Sequence, residues 1–255
     1  FMRRQNWSLP YFIFMLIFVV LPLVLIFIYA FQDADGNFTF DNFSKFISSP
    51  EAANTFVYSI GIAIITTVLC ILLGYPAAYI LSNRELCRSR VMVVLFILPM
   101  WINFLLRTIA TVELFRMFGL PLGEGALLFG MVYDFLPFMI YPIYNTLQKM
   151  DTSLIEAAHD LGAKRHQVFL KVTLPLSAPG IYSGIVMVFM PTVSTFAIAE
   201  LLTHNKVTLF GSLIQRCFGE GGIAMWNYGA ALSLIMLIII GLTSFFGGDK
   251  EDTNR

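Results

Sequence analysis

The chain has 255 residues, 58% apolar and 13% charged, with 16 Lys and Arg balanced by 16 Asp and Glu and a mean hydropathy of +0.77. A soluble domain carries about 45–50% apolar and roughly 25% charged residues, so this composition excludes a water-soluble globule and makes lipid the solvent for the excess. Zero net charge and the lack of any basic run leave no electrostatic footprint for nucleic acid.

A bilayer core of about 30 Å takes roughly 20 apolar residues of helix. The first stretch to meet this is Pro10–Phe31, too long for the apolar region of a signal peptide and read as the first span. The loop after it holds Asp33, Asp35, Asp41 and Glu51, a solvated segment by default and a docking surface for a soluble partner as the alternative. Further spans are predicted over Phe56–Leu81, Val91–Phe115, Ala126–Leu147, Ile181–Leu202 and Tyr228–Phe246, with Asn103, Arg107 and Glu113 interrupting the second half of the third. These runs are apolar on every face, and in lipid the backbone must be satisfied within each segment, so they are helices. The fold class expected is an all-α integral membrane protein, a single transmembrane domain over residues 1–255 with about six transmembrane helices.

Small residues recur at four-residue spacing in the second span (Gly74, Ala78) and at the start of the fifth (Gly180, Gly184), a pattern that lets helices approach closely. Pro76, Pro137, Pro142 and Pro191 lie inside spans and invite kinks. If the N-terminus is cytoplasmic, eleven Lys and Arg gather on that side against four (Lys45, Arg116, Lys206, Arg216) opposite, with Arg107 inside a span. The bias places both termini in the cytoplasm. Cys70, Cys87 and Cys217 lack a Cys-x-x-Cys spacing, and His159, His166 and His204 lack metal-ligand spacing.

The segment from Met150 to Ile181, between the fourth and fifth spans, reads as two short helices and a corner. Ser153 and Glu156 match a capping box, Gly162 sits where a helix C-terminus wants a left-handed residue, and a second amphipathic piece runs from Lys164 to Val172 until Pro175 stops it. A surface of small residues ended by a glycine corner suits a groove on a cytoplasmic partner; an ordinary interfacial helix is the alternative.

Glu156-Ala157-Ala158-x-x-x-Gly162, followed by Leu174-Pro175, resembles the EAA signature of permease subunits in binding-protein-dependent ABC importers, in spacing and in its place before the penultimate span. The resemblance implies a type I ABC importer permease fold in the bacterial inner membrane. This loop would then be the coupling helix region, with Glu156, Ala157, Ala158 and Gly162 docking into a cleft of the ATP-hydrolysing subunit. It implies as partners a pair of ABC ATPase subunits that bind ATP and Mg, a second permease subunit and an extracytoplasmic substrate-binding protein. No cofactor is expected in this chain. Leu73-Gly74-Tyr75-Pro76-Ala77-Ala78-Tyr79, the run Leu98 to Asn103 with Leu106-Arg107, and the run Leu136 to Pro142 resemble the permeases of spermidine/putrescine importers over most of the chain. A polyamine substrate is thereby implied, with sulfate, molybdate or iron importers as alternatives that share the loop signature. The stretch from Glu113 to Gly130 is shorter than in the polyamine permeases.

No Walker A loop, nucleophile elbow or His-Glu-x-x-His is present, so the chain is not expected to be an enzyme by itself. A stand-alone secondary transporter would show broken helices in two repeated halves, and no such repeat is visible.

An ionisable group inside a membrane must face a cavity or a partner. A polycation needs carboxylates and aromatic faces along its path. The substrate-path candidates are Trp101, Asn103, Tyr133, Asp134, Tyr141 and Glu200. Asp134 beside Tyr133 is placed either to meet an ammonium group or to pair with Arg107, and Glu200 marks the outer end of the predicted fifth span. Arg107, a poor ligand for a cation, is expected to pair with a carboxylate or cap backbone carbonyls.

Overall fold

The computed structural model describes residues 9–83, 90–219 and 222–248. Arg3, Arg4, Arg84, Arg88, Lys250 and Arg255, which enter the orientation argument, and Cys87 lie outside the described residues. Regular structure among the described residues is helical, apart from an isolated antiparallel bridge between Gln32 and Phe38.

Helix α1 (Pro10–Ala30) contains a π turn at Leu16–Val20, where the Leu21 N–H reaches back five residues to Leu16 O. Pro22 has no N–H to continue the ordinary ladder, so the extra residue is accommodated there. Helix α2 (Asp41–Ser48) follows a short loop. The buried Asn42 donates through Nδ2 to Ala30 O at 3.1 Å and Gln32 O at 2.9 Å, fastening α2 beneath the end of α1. Helix α3 (Pro50–Ser82) has 33 residues, or about 50 Å at 1.5 Å per residue. It begins before Phe56 because Ser49 accepts the Ala52 N–H at 3.3 Å and Pro50 occupies the first turn.

The third span differs from the expectation. Helix α4 (Arg90–Ile97) tightens into a 3-10 turn at Leu98–Trp101 and meets α5 (Phe104–Met117) at 97°. Pro99 cannot donate into the helix, Ile102 is extended, and Asn103 Oδ1 accepts the Leu105 N–H at 2.8 Å to start α5 afresh. Helix α6 (Glu124–Lys149) runs unbroken past Pro137 and Pro142. Helix α7 (Thr152–Asp160) and α8 (Arg165–Leu176) form the connecting loop, and α8 turns into α9 (Ala178–Ser194) through 60°.

The fifth span also ends earlier than predicted. Helix α9 stops at Ser194, Thr195 is extended, and α10 (Ala197–Thr203) is a separate helix. The Ser194 hydroxyl lies within hydrogen-bond distance of both the Met190 and Pro191 carbonyls, closing the helix locally. Helices α11 (Phe210–Gly219) and α12 (Ile223–Gly248) complete the chain. Among the described residues, four helices (α1, α3, α6, α12) are long and apolar enough to cross a membrane, with up to six crossings if each bent pair is one span.

Helices α3, α6 and α9 make the centre. Their approach is set by glycine: a Cβ on Gly74 would lie 3.0 Å from Met139 Cγ, and one on Gly184 2.6 Å from Met139 Sδ. A Cβ on Gly180 would meet the Pro142 carbonyl oxygen at 2.9 Å. The small-residue spacing read from the sequence is thus the contact face onto α6. Helix α12 packs beside α1 through Ala30, Ala230, Ala231 and Leu234, with Ile26 partly buried against them, while most of α1 stays exposed.

Candidate functional site: the α7–α8 loop and the polar residues of α4 to α6

Helix α7 starts at Asp151, not at a Ser153–Glu156 capping box. Asp151 Oδ1 accepts the Ser153 N–H at 2.9 Å, and this bond holds the carboxyl below the usual carboxylate range. With the cap supplied two residues earlier, Glu156 has no capping duty. At the other end Gly162 donates to His159 O at 2.9 Å and Ala163 to Ala158 O at 3.1 Å, with Gly162 at φ +80°. This is the paired termination that a left-handed glycine permits. No residue of α7 is buried. Glu156, Ala157 and Gly162 are exposed and Ala158 half-buried, and a Cβ on Gly162 would meet nothing within 4 Å. The four residues therefore form one end of an open surface that the chain's own fold does not use.

Helix α8 is anchored instead. Its start is fixed by Lys164 N–H donating to Gln167 Oε1 at 2.9 Å. Val168 and Thr173 are buried, and the Phe169 ring meets Tyr75 and Tyr79 edge-on at centroid distances of 5.8 and 5.5 Å. A second π turn, Phe169–Thr173, precedes Pro175 just as the first precedes Pro22, and the helix passes through Pro175 to Leu176 instead of stopping there. At the corner, Tyr75 Oη and Ser177 Oγ lie 3.0 Å apart in the interior. Neither residue stood out as functional from sequence: Tyr75 lies in a run that marks only the family resemblance, and a serine between prolines carries no motif.

The polar candidates separate into two environments. Arg107 and Asp134 are buried together, with Nε 3.3 Å from Oδ1. Thr108 Oγ1 donates to Asp134 Oδ2 at 2.9 Å, and Arg107 Nη2 donates to the Asp134 carbonyl at 3.3 Å. Of the two placements open to Asp134, the structure shows the pairing with Arg107. Tyr133, which is exposed, stacks on Phe129 and lies 5.9 Å from the Arg107 guanidinium carbon. Asn103 serves as the N-cap of α5. Trp101, at the 97° corner, is 88% exposed, and Tyr141 is also exposed. Glu200 is half-buried on α10, beyond the break that ends α9, and carries no ion pair among the described residues. Trp101, Tyr133 and Tyr141 thus offer ring surface outside the packed core, while Asp134 is withdrawn into it.

A family model described as the inner membrane component of binding-protein-dependent transport systems matches residues 70–248. The spermidine/putrescine transport system permease protein PotB of Escherichia coli is 32% identical over 251 residues, covering 89% of this chain and 90% of that protein. PotB of Haemophilus influenzae is 32% identical over 257 residues, covering 92% and 89%. Among solved structures, a bacterial ABC transporter involved in the import of the acidic polysaccharide alginate superposes with a TM-score of 0.70 at 18% identity, covering 98% of this chain and 97% of that one. The MetNI methionine ABC transporter in inward-facing conformations gives 0.64 at 18% identity, covering 80% and 96%. By the family match across most of its length and the identity to full-length relatives, the chain belongs to the family of inner membrane components of binding-protein-dependent transport systems.

Proposed function

We propose that the chain is the permease subunit of an ATP-driven polyamine importer, taking spermidine or putrescine through the membrane and receiving its driving motion from a separate ATPase through α7. The observation that carries the coupling role is the capped α7, none of whose residues is buried, with Glu156 and Ala157 exposed on it and Gly162 exposed at its end. Helix caps at both ends are retained on an element with no fully buried residue, which fits a surface preformed for a partner. The substrate class is supported by the identity to PotB proteins over about nine-tenths of both chains. The ATPase pair would supply ATP and Mg binding, with a second permease subunit and a binding protein completing the complex, both termini being cytoplasmic. Trp101, Tyr133, Tyr141 and Glu200 remain substrate-path residues in this reading. Asn103 and Asp134 shape the path from behind it.

The test is reconstitution of the chain with its ATPase, second permease and binding protein, followed by ATP hydrolysis with spermidine, putrescine, sulfate or no ligand. Stimulation by a polyamine, lost in Glu156→Ala and Gly162→Asp while the protein stays folded, supports both roles. Stimulation by sulfate instead removes the polyamine and keeps the importer. Transport by the chain alone, with no ATPase bound, overturns the reading.

A further inference from the structure

We propose that Tyr75, Ser177 and Phe169 form a joint that pins the α8–α9 corner to α3, so that displacement of α7 and α8 reaches the α3–α6–α9 centre as a rigid movement. The inference rests on α7 being the element on which a partner acts, and it identifies positioning residues within the chain itself.

The corner is soft by composition. Pro175 and Pro179 cannot donate helical hydrogen bonds, a π turn lies at Phe169–Thr173, and the axis changes direction by 60° between α8 and α9. Left alone, such a segment would absorb a push by flexing. Three contacts oppose this. Ser177 is fully buried and its Oγ donates to Leu174 O at 2.9 Å, across the bend. A hydroxyl has one hydrogen. With that hydrogen directed at Leu174, Tyr75 O–H is the donor in the 3.0 Å contact to Ser177 Oγ. Tyr75 is itself only 7% exposed. About two turns before the bend, Phe169 sets its ring edge-on against both Tyr75 and Tyr79, which lie one turn apart on α3. The corner is therefore held to α3 at two levels, one by a hydrogen bond and one by ring packing.

Behind the joint there is no slack. Gly74, next to Tyr75, faces Met139 of α6 at a distance that leaves no room for a methyl group, and Gly180 and Gly184, just past Ser177, face Thr146, Pro142 and Met139 of the same helix. Close-packed interiors transmit displacement instead of absorbing it.

The test uses the full complex in phospholipid vesicles, reading spermidine taken up per ATP hydrolysed. Tyr75→Phe keeps the ring and leaves Ser177 bonded to Leu174, so assembly and hydrolysis stay at the level of the unaltered chain. Uptake per ATP is expected to fall by roughly two- to tenfold, the equivalent of one net hydrogen bond. Ser177→Ala strands the Tyr75 hydroxyl and also removes the bond to Leu174, so it lowers the ratio further, and adding Tyr75→Phe to it recovers only the part due to the stranded hydroxyl. Phe169→Leu lowers it independently. A second readout needs no transport: amide hydrogen exchange over residues 165–176 of the purified full chain should speed up by roughly two- to tenfold in Tyr75→Phe. Unchanged exchange, or unchanged uptake per ATP in both Tyr75→Phe and Phe169→Leu, overturns the joint. If the unaltered complex neither hydrolyses ATP nor takes up spermidine, the functional reading has failed, and the exchange measurement still decides the joint.

Discussion

Arg107 on α5 and Asp134 on α6 sit as a charge pair in the interior, 6% and 1% exposed, with Nε 3.3 Å from Oδ1. The approach is off-line, so neither atom makes a directed hydrogen bond; Thr108 and the Asp134 carbonyl take up part of the remaining capacity. A pair of this kind is costly to break and cheap to replace. Removing one partner strands a buried charge, at about 3–5 kcal/mol, whereas two apolar residues of similar volume are often neutral. Asp134→Ala is therefore expected to lower the yield of folded protein and its thermal midpoint in detergent, and Arg107→Met with Asp134→Leu to recover most of the loss. If the double variant is folded yet transports nothing, Asp134 contacts substrate after all. Retained uptake makes the pair a fastener between α5 and α6.

Two glycines with different surroundings should respond differently to the same change, one globally and one locally. At Gly184 a Cβ would press on Met139 Sδ at 2.6 Å and Met139 O at 3.3 Å, so Gly184→Ala should cost about 1–3 kcal/mol of stability by overpacking. At Gly162 the space is open but φ is +80°, and an L residue there costs roughly 1–2 kcal/mol locally. Gly162→Ala should thus leave the thermal midpoint nearly unchanged while raising hydrogen exchange over α7, and Gly162→Asn should be milder because asparagine tolerates the left-handed region. A lowered midpoint in Gly162→Ala would show that α7 carries more of the fold than its exposure indicates.

The contrast shows what was legible in the sequence. Gly180 and Gly184 at four-residue spacing, and Gly162 after the Glu156-Ala157-Ala158 run, announced a close helix contact and a helix end, and both are where they were expected. The failures of a purely apolar count are equally specific. Leu98-Pro99 followed by Asn103 is a stop signal and a cap, but inside a run of apolar residues it reads as one span and not as the observed 97° bend. Helix α9 runs through Pro191 to Ser194, and the extended Thr195 then leaves Glu200 on a separate helix. Tyr75 and Ser177 are 102 positions apart and meet only through tertiary packing, which no local pattern encodes.

The Asp151 cap makes a prediction about pH. Because the Ser153 N–H favours the charged carboxylate, its folded pKa lies below the unfolded value of 3.8. The cap's contribution is then fully present above the unfolded value and fades only as pH falls through the lower folded one. Helix α7 should accordingly show the same hydrogen exchange protection, corrected for intrinsic rate, at every pH from mildly acidic to neutral. Asp151→Ala should fray the first turn at neutral pH, and Asp151→Asn, which keeps the acceptor, should not. Loss of protection between pH 6 and 5 in the unaltered chain would mean that another group holds the helix start.

Trp101 ends the 3-10 turn at the α4–α5 corner and is 88% exposed, so the chain itself does almost nothing to bury a large ring. Truncating it should change the stability of the isolated chain by no more than about 0.5 kcal/mol. An effect on uptake must then come from something outside this fold: surrounding lipid or, in the proposed complex, the travelling substrate or the proposed second permease subunit. A cation–π contact is worth about 0.5–2 kcal/mol, so Trp101→Ala should raise the KM for spermidine uptake by roughly two- to thirtyfold, with Trp101→Phe in between because phenylalanine is the weaker ring. The last two sources separate by measuring assembly alongside KM. A raised KM with an intact two-permease complex places Trp101 on the substrate path. An unchanged KM with a weakened complex places it in the subunit interface, and Tyr133 and Tyr141, also exposed beyond the core, would then be the aromatic faces left for the polycation.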